Sequence, residues 1–488
     1  MTRTTLAASS LALALVLAPA AQAQDGKEMV ASFIDANAGS YGEIAQDIWD
    51  LAEVGYLETE SSALLAETLA AAGFEIGSGV AGIPTAFVAS WSNGTGPVIG
   101  ILAEFDALPG ITQGRGPERD PIAEKAAGHA CGHHLFGTGS VAAAIAAKHW
   151  MEETGQTGTV RLYGTPAEEG GAGKVYMVRA GLFDDVDVVL HWHAGDSNSA
   201  DASSSLSNKS AKFRFTGVSA HAAAAPERGR SALDGVEAMN YMVNMMREHV
   251  PENTRIHYVI TSGGAAPNVV PDFAEVYYYV RHPDPEQVRS IFERVAEAAE
   301  GAARGTGTTM EYEVIHGLYN LLPNVTLQEA IHANLERVGG VEYTAEERRF
   351  AEVLRRSLPA DAPPIDEAAK VQPLAVTDEG GGGSTDVADV SWAVATGGMR
   401  SATWVPGTAA HSWQAVAAGG TSIGEKGMIV AAKTLAMTVV DLITNEELIA
   451  RARAEHADRI PDSWVYEPLL GDRDPPLDYR LPARTGGN

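Results

Sequence analysis

The 488 residues are 45% hydrophobic, 20% charged and 7% aromatic, a composition that excludes disordered and fibrous classes and at this length suggests two or more domains. The 35 Lys and Arg against 63 Asp and Glu give a formal charge of −28, which repels nucleic acid and anionic lipid, so neither is expected as a partner. A single cysteine excludes an intrachain disulfide framework and CxxC-type zinc modules; any metal site must lean on His, Asp and Glu.

Residues 1 to 23 read as an export signal. Arg3 is the sole charge before Asp25, an apolar run follows from Leu11 to Ala18, and Ala21-Gln22-Ala23 is a small-residue cleavage site. The mature chain is expected to be periplasmic or secreted, and no later apolar stretch is expected to reach the roughly 18 to 20 residues that span a bilayer. Ile44 to Leu51 and Glu60 to Ala72 have helical spacing, the second ending at Gly73. Thr85 to Trp91 and Pro97 to Phe105 read as strands, the latter an almost unbroken apolar run of the kind buried on both faces of a sheet. A helix (Val141 to Met151), a strand (Thr159 to Gly164), a helix (Gly173 to Ala180) and a strand (Val186 to Leu190) continue an α/β alternation.

Ser203 to Asn208 reads as a connection between domains. Beyond it the predicted order is strand (Ala211 to Gly217), helix (Ser231 to His249), strands (Arg255 to Thr261 and Ala274 to Val280), helix (Pro285 to Arg304) and strand (Thr309 to Ile315). This βαββαβ order is that of a ferredoxin-like domain, placed here as an insertion over residues 209–318 between the two parts, 24–208 and 319–488, of an α/β domain with a mixed sheet. A charged helical region (Glu342 to Lys370) and a final strand (Ala402 to Val405) complete the second part. The glycine run Gly380 to Gly383, ahead of Ser384-Thr385-Asp386, fits a flexible linker or an active-site loop equally well.

Four segments carry chemistry. In Gly128-His129-Ala130-Cys131-Gly132-His133-His134 a thiol and an imidazole two residues apart can both reach one metal pair. Glu168-Glu169 ends a buried strand, so one carboxylate can hold a metal while the other faces substrate as a general base; a solvated acidic turn is the competing reading. His191-Trp192-His193 follows a strand and places two imidazoles on one face, with one or both available to the site. Gly407 to Trp413 contributes His411, a weak signal alone. Cys131, His133, Glu169, His193 and His411 together suffice for two zinc-like ions.

These residues resemble the peptidase M20 family of di-metal amidohydrolases, subfamily D, in its aminobenzoyl-glutamate utilisation branch. The similarity runs through Ala103 to Pro109, Gly128 to Gly137, Glu168 to Gly170, Trp192-His193, Gly217 to Pro226, Gly263 to Pro271, Ser384 to Trp392 and Gly407 to Gln414, nearly the whole mature chain. The resemblance implies a zinc-peptidase-like catalytic domain holding two divalent metals, zinc first and Mn²⁺, Co²⁺ or Ni²⁺ otherwise. It also implies that the ferredoxin-like insertion is a lid through which the chain forms a homodimer. Glu168 would be the base that activates water, Cys131, His133, Glu169, His193 and His411 the ligands, with Cys131 the bridging candidate. His221 would reach across the dimer to the oxyanion, while Asn268 and Arg281 would grip a substrate carboxylate. Asp106 would organise the site or hold a turn. The implied reaction is metal-dependent hydrolysis of an amide in N-acyl or N-aroyl amino acids or small dipeptides, and related two-component systems imply that a second subunit can assist. An exported metal- or solute-binding protein on a degenerate hydrolase scaffold is the rival from another class. His134 departs from the Asp or Asn that this family places after the Cys-Gly-His stretch.

Overall fold

The computed structural model describes residues 6–380, 383–461 and 463–481. The export-signal reading falls on positions outside this description, the first five altogether and those up to Gln22 in their side chains. The chain opens on a helix, Leu6–Leu51, which absorbs the predicted Ile44 to Leu51. Strands of the two main sheets follow: β1 (Glu75–Ser78), β2 (Phe87–Ser92), β3 (Val98–Ala103), β4 (Thr159–Gly164) and β5 (Val188–Gly195). Next come β6 (Ser207–Thr216), β7 (Arg255–Ser262), β8 (Phe273–His282) and β9 (Thr309–Leu318), and finally β10 (Thr396–Ala402).

The larger sheet has the order β1-β2-β4-β3-β5-β10. β4, β3, β5 and β10 run parallel, and β2 pairs antiparallel with both of its neighbours, β1 and β4, the mixed sheet expected. β3 is apolar throughout because it is central and nearly all of it is buried, as in sheets covered on both faces. Helices Leu6–Leu51, His133–Thr154 and Ser422–Thr444 pack on one another, and the last two also pack against this sheet. The last of these is long and apolar enough to cross a membrane, which corrects the expectation that no later stretch would be. Most of it is buried inside the protein, and its apolarity serves the core: Leu435, Val439, Val440 and Leu442 are fully buried.

The second sheet, β7-β8-β6-β9, is antiparallel throughout. It carries helices Ala232–Met246 and Pro285–Thr306 in the predicted βαββαβ order. The second helix is well specified locally. Asp284 accepts the Glu286 amide at its N-terminus, Pro285 occupies the first turn, and Gly307 ends it at φ 69°. Its Val288, Ile291, Phe292, Val295 and Ala299 fall on one stripe and are buried against Phe213, Phe215 and Val276. Ser207 and Asn208, expected in a connection, are the first residues of β6; the connection itself is short, and Ala202–Ser204 pairs with Val376–Gly380.

Two further boundaries differ. The helix expected from Val141 begins at His133, because Gly132 at φ 78° turns the chain directly into it. The final strand is Thr396–Ala402 rather than Ala402 to Val405. Its Gly397 and Gly398 hide the strand signal, yet they are required: a Cβ on Gly398 would lie 2.2 Å from the His191 ring, and one on Gly397 would lie 2.7 Å from Leu327. Gly398→Val is therefore expected to lower the urea midpoint by the equivalent of about 1–3 kcal/mol, the usual cost of forcing extra atoms into a packed core. An unchanged midpoint would show that His191 moves aside freely.

Candidate active site

Parallel strands gather their following loops at one edge, the usual ligand position in such sheets. Glu104 and Asp106 follow β3, Thr165 to Gly171 follow β4, His191 and His193 end β5, and the segment leading to His411 follows β10. The last three of these segments line a cavity of about 750 Å³, whose lining includes Glu168, Glu169, His193 and His411 together with Cys131, a size suited to a small molecule.

The donor atoms form two triads that share one residue. Those of Cys131, His133 and His193 lie within 4.8 Å of one another, as do those of Cys131, Glu169 and His411. Cys131 Sγ is 3.4 Å from His193 Nε2, and Glu169 Oε1 is 2.9 Å from His411 Nε2. Thiol, imidazole and carboxylate are the donor types that zinc accepts, so the five residues fit a pair of divalent cations, with Cys131 common to both triads. Burial pushes the Cys131 thiol well up; a cation at the site would offset that by favouring thiolate. Backbone geometry sets the donors. Gly132 lets Cys131 and His133 face one point, and His411 sits at φ 61° with its amide donating to the Ala130 carbonyl at 2.9 Å.

Behind the triads lies a connected polar network. His193 Nδ1 lies 2.7 Å from the Ala194 carbonyl, which leaves Nε2 to the site. His133 Nδ1 is 2.9 Å from Asp106 Oδ1, and Asp106 Oδ2 accepts the Glu169 amide at 2.9 Å. Asp106 thus links the His133 ring to the backbone of Glu169. Glu104 Oε2 lies 3.1 Å from His133 Nε2 while Oε1 is 2.7 Å from Lys174 Nζ, and Lys174 also meets Asp386 at 2.7 Å. Burial alone would hold His133 neutral, but Cys131, Glu104 and Asp106 reverse it and raise its pKa well above the usual range. Glu168 groups with Glu104 and His133. Since Glu104 is already claimed by Lys174, Glu168 is the free carboxylate of that group. Burial, then Glu104 and Glu169, raise the Glu168 pKa well above the carboxylate range.

The remaining predicted residues divide. Arg281, on β8, lines the cavity beside Tyr279, Asn208 and His316 of the second sheet. His221 and Asn268 are exposed and absent from that lining. His221 bridges to Val269, and its Nδ1 accepts the amides of Ala223 and Ala224 at 3.2 Å. His191 lines the cavity but joins neither triad, and burial, then Lys174 and Arg400, lower its pKa to about 3. His134 is buried with Nε2 3.0 Å from the Gly419 carbonyl, outside the cavity lining, so the departure at this position supports the loop. Gly383, Ser384 and Thr385 line the cavity, which favours the active-site loop over the linker; Gly381 and Gly382 lie outside the described residues. Lys174, Asp386 and Glu58 had no assigned role in the sequence, because a lone Lys beside a helix start and a Glu after a loop carry no spacing signal. Glu58 accepts the Ala167 amide at 2.8 Å, and burial, then Asp106, raise its pKa to about 8.

Residues 205–307 match the M20 peptidase dimerisation domain. The chain is 42% identical over 458 residues to one of the subunits of p-aminobenzoyl-glutamate hydrolase from Escherichia coli, covering 89% of this chain and 95% of that one. It is 30% identical over 444 residues to the Xaa-Arg dipeptidase of Mus musculus, covering 88% and 91%. The crystal structure of an aminobenzoyl-glutamate utilization protein from Klebsiella pneumoniae superposes with a TM-score of 0.60 at 19% identity, over 84% of this chain and 97% of that one.

Lys174 has no exposed surface and two carboxylate partners. Lys174→Met should cost about 3–5 kcal/mol by leaving them uncompensated, and adding Glu104→Gln with Asp386→Asn should recover much of it. Chemical denaturation of the three chains checks this; an additive loss in the triple variant would contradict it.

Proposed function

The chain belongs to the peptidase M20 family, and from that premise we propose that it hydrolyses the amide bond of N-acyl or N-aroyl amino acids, aminobenzoyl-glutamate-like, or of small dipeptides. The observation that carries this is the pair of donor triads sharing Cys131, with Glu168 unclaimed beside them, on a cavity that Arg281 also lines. Cys131, His133 and His193 would hold one divalent cation and Cys131, Glu169 and His411 the other, zinc by donor type. Bound there, the pair supplies Lewis acidity that polarises a carbonyl and lowers the pKa of water.

The chain's own groups do the rest. Glu168 takes a proton from the attacking water and later delivers it to the leaving amine. Arg281 offers a planar fork for the substrate carboxylate. A metal-storage or solute-binding protein has no use for Glu168, which favours the hydrolase over that rival.

The second sheet is the proposed dimer surface. Its edge strand β7 exposes Tyr258, Val259 and Ile260, and helix Ala232–Met246 exposes Tyr241 and Met245. An apolar sheet edge of this kind calls for pairing, and a second copy would bring the partner's lid loops toward the cavity. His221 would then stabilise the oxyanion, and Asn268 would bind substrate, in trans. Export, to the periplasm or beyond the cell, is also part of the proposal, resting on Arg3, the Leu11 to Ala18 run and Ala21-Gln22-Ala23. The Escherichia coli relative is named as one component of a hydrolase, so assistance by a second chain is a further expectation.

Chelation of the purified protein should abolish hydrolysis across a panel of N-aroyl, N-acyl and dipeptide substrates, and zinc should restore it. Glu168→Gln should stay folded and metal-loaded while kcat drops about 10²–10⁴-fold; turnover like the unmodified protein would remove Glu168 from the mechanism, and tight metal binding without turnover of any substrate would favour the binding protein. Mixing inactive Glu168→Gln with inactive His221→Ala should regain activity through mixed dimers, which co-purification of two differently tagged variants would detect. No recovery in a demonstrated mixed dimer would place the His221 role within one chain.

A further inference from the structure

Residues 463–481 follow the last helix, Glu446–Arg459, and form neither helix nor strand, yet they join the two sheets. At the second sheet, Leu469 is fully buried in the core of that unit. Gly317 of β9 admits it: a Cβ there would lie 2.5 Å from the Leu469 carbonyl carbon. The Glu467 carbonyl accepts Arg289 at 2.6 Å and the Tyr319 hydroxyl at 3.0 Å, and Arg473 reaches Glu313 at 3.0 Å. Toward the larger sheet, the Tyr466 hydroxyl donates to buried Asp389 at 2.7 Å, and Arg179 donates to the carbonyls of Gly471 and Arg473.

The segment ends at the carboxylate loop. The Tyr479 hydroxyl, at 3.1 Å, and the Arg480 guanidinium both donate to a single atom, the main-chain oxygen of Glu169. The Tyr479 ring stands edge-on to Tyr56 at 5.6 Å, and Tyr56 donates to the Gly171 carbonyl at 2.7 Å. Gly55 makes room, since a Cβ there would lie 2.3 Å from the Tyr479 hydroxyl. The loop needs outside support because Ala167 and Ala172, at φ 59° and 60°, hold left-handed backbone without being glycine. The Ala167 and Glu169 amides are held by Glu58 and Asp106. The Glu169 carbonyl is held by the C-terminal segment.

We propose that Tyr479 and Arg480 are positioning residues for the candidate metal site: by clamping the Glu169 carbonyl they fix the peptide plane that aims Glu169 at Cys131 and His411 and leaves Glu168 on the other side. This rests on the reading of Glu169 as a metal ligand. The C-terminal segment thereby ties the second sheet to the orientation of the carboxylate pair, with Arg480 supplying a positive charge behind it.

The test compares full-length Arg480→Met, Arg480→Lys and Tyr479→Phe with the unmodified protein. Zn²⁺ affinity is read by chelator competition, apo-protein melting by circular dichroism, and kcat and KM by hydrolysis. Arg480→Met should weaken zinc binding about 10–100-fold, the usual effect of removing an outer partner, and lower kcat more than KM, with apo melting little changed. Arg480→Lys should recover part of the affinity. If Arg480→Met does not fold, Tyr479→Phe, which keeps the ring against Tyr56, carries the same comparison with a smaller loss. Unchanged zinc affinity in folded variants, or a lower melting temperature without loss of affinity, would overturn the inference. Failure of the unmodified protein to take up zinc would instead overturn the metal reading on which it rests.

Discussion

The buried ammonium of Lys174, between Glu104 and Asp386, is the interaction on which the rest of the site depends. Charges removed from water persist only when paired, so the segments bearing these three residues must stay in register. Burial disfavours the Lys174 charge, but Asp386 and Glu104 overcome it and raise the pKa. From that ion pair the contacts continue without a break. Glu104 meets His133, His133 meets Asp106, and Asp106 takes the Glu169 amide. Two helix starts, two strand ends and the loop after the glycine run are thereby fixed to one another, and two of the five candidate ligands are oriented by direct contact.

The donors face one another because the backbone puts them there. Gly132 reverses the chain between Cys131 and His133, and His411 accepts a left-handed conformation uncommon for a non-glycine residue. Such strain, of order 1–3 kcal/mol, persists only where surrounding contacts over-determine it. Here those contacts are the Ala130 carbonyl for His411 and Glu58 for Ala167. The glycines of β10 serve the same end. They remove side chains where His191 and Leu327 must approach, so the strand beside β5 is weak in propensity and close in packing.

The cavity belongs to two bodies. One side offers metal-type donors from the strand ends, and the other offers Arg281, Tyr279, Asn208 and His316 from a separately packed sheet. Substrate selectivity and chemistry therefore reside on units whose relative position matters, and the C-terminal segment links them. Its contacts are main-chain carbonyls, two side-chain carboxylates, aromatic rings and the buried Leu469, which pin position without demanding a regular element.

The sequence by itself determined the α/β alternation, the βαββαβ insertion, and the five residues that make up the two triads. Those features are local: periodicity, capping residues, and motifs in which Cys131 and His133, or Glu168 and Glu169, are near neighbours. The family resemblance reinforced the set, since His411 alone is a weak signal. Only the tertiary structure decided that Lys174 and Asp386 hold the network together, that His134 supports a loop, and that Tyr479 and Arg480 reach Glu169 from 310 and 311 residues away in sequence. Each of these depends on pairing between segments distant along the chain. Burial decides the value of such pairs, because a charge or carbonyl that water would satisfy at the surface must find a protein partner inside, and which partner it finds is settled by packing.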